Sequence, residues 1–346
     1  MKHFIGFSAL IFIFLFLTYF NREDMTSSKE ALSIKVYADS SFISSWGPGP
    51  HLKEIFEKQT GAKVVFIDMK ESNALFQKMA LDGKSALGDV ILSIDQFDIV
   101  RHGEIIKWKP LMSKLETDAS QSYQVNPRPE FFLPYDWAPI AINGQKNNSF
   151  NPQSLDDLLS PEIKGKVAYL DPRTSSPGLQ FLFWVMKTKS EPDAIEYLKK
   201  LNKQAHSFSP SWSAAYGLFK NNQADYVLSY ATSPFYHLIE EKNDTYKSYE
   251  FSEGHPIQVE FAGVPETCEN CEIAIQFVQF LQTSEAQKII MARNYMLPVY
   301  RPVQETTVFD TLKIYKNLKN QKVTKEELQR WLNMWSEIKQ NEQSTH

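Results

Sequence analysis

A chain of 346 residues, 42% hydrophobic and 23% charged, has room for about two domains of roughly 150 residues each and for a sizeable buried core. A formal net charge of -4 with scattered lysines and arginines provides no basic field for a phosphate backbone, so a nucleic-acid binder is not expected.

Lys2 and His3 precede an apolar run over residues 4–20, after which NREDMTSSKE turns polar. This pattern reads as an export signal. Its length lies between a cleaved peptide and a short membrane anchor, and no small-x-small site marks Thr18 to Asn21, so residues 1–30 are expected to be a signal peptide or an N-terminal anchor. No cysteine follows the run, which argues against a lipidated N-terminus and favours a Gram-negative periplasm.

Strand and helix patterns then alternate. Residues 33–37 read as a strand, 50–61 as a helix with Pro50 in its first turn and Gly61 as its stop, 63–69 as a strand, 73–83 as a helix ended by Gly83, and 88–94 as a strand. This β-α-β-α-β order implies a largely parallel sheet with helices on its faces. A second alternation starts near Ala138, with strands at 166–170 and 224–230 and helices at 177–188 and 193–203. The strand pattern at 258–264 is placed to return the chain to the first unit, where helices at 271–283 and 284–294 would pack. The charged stretch 324–339 reads as an amphipathic surface helix, with Thr324 and Glu327 at capping-box spacing. The two cysteines, Cys268 and Cys271, suit a local disulfide or two structural thiols in an exported chain; no further ligand pair at finger spacing supports zinc.

Catalytic signatures are missing: there is no G-x-S-x-G elbow, no phosphate-binding G-x-x-x-x-G-K-[ST] and no G-x-G-x-x-G after a strand. Four stretches hold more than a core requires. SSFISSWGPGP sets Phe42 and Trp46 in a Ser-rich turn. DPRTSSPGL offers Thr174, Ser175 and Ser176 at a helix start, where free N–H groups suit either an anion or ordinary capping. In PSWSAAYGLF, Trp212 and Tyr216 share one helix face, as core or as a ligand wall. SYATSPFY runs from Tyr230 at a strand end to Tyr236 in the next helix. Aromatics converging on loops at strand ends suit a flat cationic guest, each ring contributing about 0.5–2 kcal/mol once water is excluded.

Taken in order, SFISSWGPGP, DPRTSSPGL, SWSAAYGLF, LSYATSPFYHLIEEK, FSEGH and NYMLPV resemble the periplasmic thiamine-binding proteins of ABC importers, over residues 33–302. The resemblance implies a two-lobed α/β fold of the type II periplasmic-binding-protein class: lobe 1 from 31–137 and 263–346, lobe 2 from 138–262, a hinge crossed twice, and a ligand cleft between the lobes. It implies a monomer that captures thiamine or thiamine phosphate for an inner-membrane ABC permease, with no cofactor and no enzymatic activity. The matching aromatics are Trp46, Trp212, Tyr230, Tyr236 and Tyr295; Thr174, Ser175, Ser176 and Gly178 match the phosphate-side turn, and Asp95 and Asp136 match acidic positions near the cleft or hinge. Two departures stand out: Asp39-Ser40-Ser41-Phe42 replaces Tyr-Asp-Ser-Phe, and Tyr295 and Leu297 replace the Trp and Tyr of Asn-Trp-Met-Tyr-Pro. The rival readings are a binder of ferric iron, a polyamine or an oxyanion, and a thiamine-degrading transferase, which would need a cysteine nucleophile in the cleft.

Overall fold

A computed structural model describes residues 32–70, 72, 75, 76, 79, 88–112, 125–299, 308–312, 315–319 and 321–343. The expected signal segment lies outside the described residues, as does most of the helix expected at 73–83. Among the described residues no helix is long and apolar enough to cross a membrane.

The first unit opens with β1 (Ser33–Asp39), the short α1 (Ser40–Ile43), α2 (Gly49–Thr60), β2 (Lys63–Lys70), β3 (Val90–Asp95) and α3 (Gln96–His102). Helix α2 ends where expected because Gly61 takes a φ of +73°, a left-handed cap that a side chain would strain. Next comes β4 (Phe132–Gln145), then β5 (Val167–Leu170), α4 (Ser176–Thr188), α5 (Glu191–Gln204), β6 (Ser207–Ser209), α6 (Trp212–Lys220), β7 (Tyr226–Tyr230), α7 (Pro234–Glu240) and β8 (Tyr246–Tyr249). Strand β9 (Ile257–Gly263), α8 (Cys271–Phe280), α9 (Ser284–Asn294), β10 (Leu297–Pro298) and α10 (Lys325–Gln343) complete the described elements. Cys268 and Cys271 form a disulfide at the start of α8.

The strand order is β2-β1-β3-β9-β4-β7-β5-β6, with β8 and β10 both paired to β4. The flanks are parallel, as the β-α-β pattern requires, whereas β9 runs antiparallel to β3 and β4, and β4 antiparallel to β7. The antiparallel centre departs from the expected parallel sheet because β4 and β9 cross between the units instead of closing a β-α-β turn. Strand β4 has no clear sequence signal, since Pro134 and Pro139 break its run. It pairs with β9 up to Pro139 and with β7 and β8 beyond it.

That crossing is held by His255. Its Nδ1 hydrogen-bonds the Ile140 carbonyl at 2.7 Å and its Nε2 accepts from the Phe251 N–H at 2.9 Å, while Ile140 N–H donates to the Pro256 carbonyl at 2.9 Å. The imidazole is fully buried between Trp184 and Tyr315, and burial pushes its pKa down to about 4, so the neutral ring holds the junction.

The first core packs β1, β3 and α2 against α8 and α9 through residues such as Val36, Phe56, Phe277 and Ile290. The second surrounds α4, with Phe183, Trp184, Leu201 and Tyr226. Helix α10, expected with the first unit and at the surface, packs into this second core. Its capping box forms as predicted, Thr324 N–H to Glu327 at 2.8 Å and Glu327 N–H to Thr324 Oγ1 at 3.2 Å. Its inward face, however, carries Leu328, Trp331, Leu332 and Trp335, all buried, and the Trp335 indole donates to Asp171 Oδ1 at 3.2 Å. Two tryptophans on one helical face supply more apolar area than a solvated helix would carry.

Candidate ligand-binding site

Helix α4 starts directly after the β5 end. Gly178 makes this close approach feasible: a Cβ there would meet the Leu170 carbonyl oxygen at 2.7 Å. Ser175 is the N-cap by position, but its hydroxyl caps nothing; the Oγ is buried and unpartnered, beside the free first-turn amides. Thr174 is exposed and donates to the Pro210 carbonyl at 2.8 Å, tying this turn to the start of α6. Arg173 grips Asp171 and holds that carboxyl below its ordinary range against the opposing effect of burial.

In α6, Trp212 stacks on Tyr216 with ring centroids 4.7 Å apart, so the shared helical face is a stacked pair. The indole is fixed by a relay: Trp212 Nε1–H donates to Ser229 Oγ at 2.7 Å, Ser229 Oγ shares a hydrogen bond with Ser233 Oγ at 2.8 Å, and Ser233 Oγ accepts from the Tyr230 N–H at 3.2 Å. One hydroxyl chain therefore joins the Trp212 indole to the backbone N–H of Tyr230. Behind it, Tyr216 OH meets His237 Nε2 at 3.0 Å and His237 Nδ1 meets Glu241 at 2.6 Å. Lys220 donates to Tyr236 OH at 2.6 Å and lies 4.5 Å from that ring. Tyr236 in turn meets Tyr295 edge to face at 5.4 Å, and Tyr295 OH donates to Glu240 at 2.8 Å. Tyr295 follows α9 while Tyr236 and Glu240 sit on α7, so these two segments meet through a ring contact and a hydrogen bond.

The first unit sets three acids side by side. In register, Asp95 of β3 and Asp136 of β4 both lie opposite Glu260 of β9. Asp136 accepts from Asn294 Nδ2 at 2.7 Å, and Tyr135 OH donates to Glu260 at 2.8 Å. Burial, then the Asp98 carboxylate, raises the Asp95 carboxyl to about 7; burial, reinforced by Asp39, raises Asp136 to about 8; burial, Asp136 and Asp39 raise Glu260 well above its usual range. Two surface grooves lie elsewhere, about 350 Å³ between α2 and α9 and about 770 Å³ between α5 and α10, and neither is lined by a Trp, Tyr or Phe side chain.

Residues 107–334 match the family described as bacterial extracellular solute-binding protein. The chain belongs to that family. This solute-binding protein is 35% identical over 270 residues to the thiamine-binding periplasmic protein of Escherichia coli, covering 77% of this chain and 80% of the relative. With the protein of that name from Haemophilus influenzae it shares 34% identity over 308 residues, 88% of this chain and 91% of the relative. A solved periplasmic thiamin binding protein superposes with a TM-score of 0.79 at 31% identity, covering 90% of this chain and 97% of that one. The apo ferric ion-binding protein A of Pasteurella haemolytica superposes with a TM-score of 0.73 at 17% identity, covering 89% of this chain and 98% of that one. Together they give the solute-binding protein the two-lobed type II periplasmic binding fold.

Of the residues singled out by sequence, the Trp212 indole and the Tyr230 backbone N–H are joined by the hydroxyl relay, Tyr236 and Tyr295 touch edge to face, and Thr174, Ser175, Ser176 and Gly178 form one turn. Trp46 stands apart, 48% exposed on its turn after α1. Asp95 is buried and caps α3, accepting from the Asp98 N–H at 2.7 Å. Sequence reasoning passed over Glu260, Gln258 and the Ser229–Ser233 pair. An acid in the otherwise apolar run QVEFAGV was a readable signal for Glu260; the serine relay had none, since it exists only once β7 and α6 are packed together.

Proposed function

We propose that this solute-binding protein captures thiamine, or a thiamine phosphate, between its lobes and delivers it from the periplasm to an inner-membrane ABC permease. The observation that carries the reading is a continuous run of ring contacts from Trp212 through Tyr216 and His237 to Tyr236 and Tyr295, together with three carboxyls set side by side on adjacent strands. Flat faces suit two heteroaromatic rings, and the acids suit their positive charge. Ser175 and the first-turn amides of α4, with Thr174, Ser176 and Gly178 shaping the turn, are the groups for a phosphate tail. Trp46 serves only if its turn swings inward. The names of the relatives, at 35% and 34% identity, support the same ligand.

In this reading lobe 1 comprises 31–137 and the segment from 263, lobe 2 comprises 138–262, and α10 rides on lobe 2. The protein acts as a monomer, through either a cleaved or a tethering N-terminal segment, and closure presents the filled form to the permease. A binder, not a transferase, is favoured because Cys268 and Cys271 are bonded to each other and leave no thiolate to attack the ligand. Calorimetric titration with thiamine, its mono- and diphosphates, spermidine and ferric citrate tests the reading. Stoichiometric saturation by thiamine or its phosphates is expected; saturation by iron or spermidine alone overturns it.

A further inference from the structure

Three strands of lobe 1 are irregular at one level of the sheet. Register slips between Ala38 and Asp39 in β1, between Ile91 and Ile94 in β3, and between Pro134 and Asp136 in β4, and Ser93 adopts a φ of +55°. A bulge re-aims a side chain, and it weakens the ladder that carries it. Here the slips in β3 and β4 bring Asp95 and Asp136 opposite Glu260, so that three carboxyls stand in a row across adjacent strands.

Arg101 eases the charge on Asp95 without pairing with it among the described residues. Among the described residues no lysine or arginine forms an ion pair with Asp95, Asp136 or Glu260. Asp95 Oδ2 and Asp136 Oδ1 are buried without a hydrogen-bond partner. So is Gln258 Oε1, two residues from Glu260 on the same face of β9 and only 2% exposed. Buried acceptors are normally satisfied, so a group of orphaned ones in adjacent strands marks a place where donors arrive from outside. A metal ion does not fit, because no three acidic, His or Cys side chains among the described residues are placed to hold one. The row is spread along a sheet, which suits an extended organic cation with N–H donors.

We propose that Asp95, Glu260 and Asp136, with Gln258 beside them, form the subsite that takes the positive charge and amino N–H groups of a heterocyclic cation, and that filling it expels protons from lobe 1. The proposal rests on the thiamine reading for the identity of that cation. The groups facing the row are known from each neighbouring element: Asp39 at the end of β1, Ser93 on β3, Asp98 and Arg101 on α3, Tyr135 on β4 and Asn294 at the end of α9. Arg101 acts on Asp95 and Asp98, while Asp39 pushes both Asp136 and Glu260 toward the protonated form. With Asp95 raised to about 7 and Asp136 to about 8, the empty row is partly protonated at neutral pH. A bound cation favours the ionised carboxylates, so protons leave and affinity climbs as pH rises from about 6 to about 8.

The test is calorimetric titration of the full chain with thiamine at pH 6, 7 and 8, each in two buffers of different ionisation enthalpy, which counts the protons released. The wild type is expected to release protons at pH 7 and to bind at least about tenfold more tightly at pH 8 than at pH 6. Asp136→Asn and Glu260→Gln should each weaken binding about tenfold or more and reduce the proton count, with circular dichroism confirming their fold. Because the proton count is read on the wild type, it stands even if a variant fails to fold. Thiamine binding with no proton release and no pH dependence overturns the subsite while leaving the ligand assignment intact. If thiamine does not bind at all, the ligand assignment fails; binding of 4-amino-2-methylpyrimidine or another N–H-bearing heterocyclic cation with proton release then upholds the subsite, and no binding, or binding of choline alone, overturns it.

Discussion

Ser229→Ala tests whether the slot needs an oriented indole or merely an aromatic surface. Ser229 is fully buried and reaches Trp212 Nε1 at 2.7 Å and Ser233 Oγ at 2.8 Å, so the substitution removes both links and leaves no large cavity. Two buried hydrogen bonds at about 0.5–1.5 kcal/mol each give about 1–3 kcal/mol. Because Trp212 is half-buried and its freed N–H can turn to water, the lower part applies, about 1–2 kcal/mol of stability and a melting point lower by a few degrees. The bound ring must then be re-ordered at each encounter. Thiamine affinity should fall roughly fivefold, the equivalent of about 1 kcal/mol. Trp212→Ala, which removes the ring itself, should cost up to about 2 kcal/mol, or roughly 30-fold. Titration calorimetry on the two variants, with thermal melts alongside, measures this. The reasoning is refuted if Trp212→Ala loses affinity while Ser229→Ala binds within twofold of the wild type.

His255 contributes stability as a neutral ring, present above its unfolded value of about 6.5 and lost as pH falls toward about 4; the shift corresponds to about 3 kcal/mol. In urea titrations, the stability gap between wild type and His255→Gln should therefore narrow by about 2–3 kcal/mol between pH 7.5 and 4.5, and a constant gap contradicts a ring held neutral in the folded state. Tyr295→Phe deletes the hydrogen bond between lobes to Glu240 and keeps the ring against Tyr236. Stopped-flow fluorescence should show thiamine leaving about two- to fivefold faster with little change in association; an unchanged off-rate means the contact does not hold the slot shut. Trp335→Ala opens the core under α10 and frees Asp171 of its indole donor. Denaturation should register a loss of about 3–5 kcal/mol, and a loss below 1 kcal/mol would return α10 to the role of a surface helix.

Among the described residues, strands β1, β2, β3, β5, β7 and β9 and the helices beside them were legible because each carries its own signal: β-branched runs for strands, Gly61 and Pro177 as punctuation, and the Thr324–Glu327 spacing as a cap. The proposed rings Trp212, Tyr230 and Tyr236 drew notice because they lie in short, unusual strings at element ends. Strand β4 was not, because its prolines obey constraints set by its neighbours: Pro139 sits where the strand passes from one unit to the other and needs no ladder N–H. The destination of α10 was hidden for a similar reason. Its amphipathic pattern says that one face is buried, and nothing in the pattern names the partner.

By itself, the sequence determined the α/β class, the alternation of elements and the aromatic and hydroxyl side chains available at strand ends, because backbone preference and hydrophobic period are local properties. Only the tertiary structure decided that Asp95 and Asp136 share Glu260 as a neighbour, that one serine relay fixes Trp212 and Tyr230, and that Tyr295 reaches the opposite lobe. The first depends on strand register between segments more than a hundred residues apart and the others on how packed elements meet, and no local pattern in the chain encodes either.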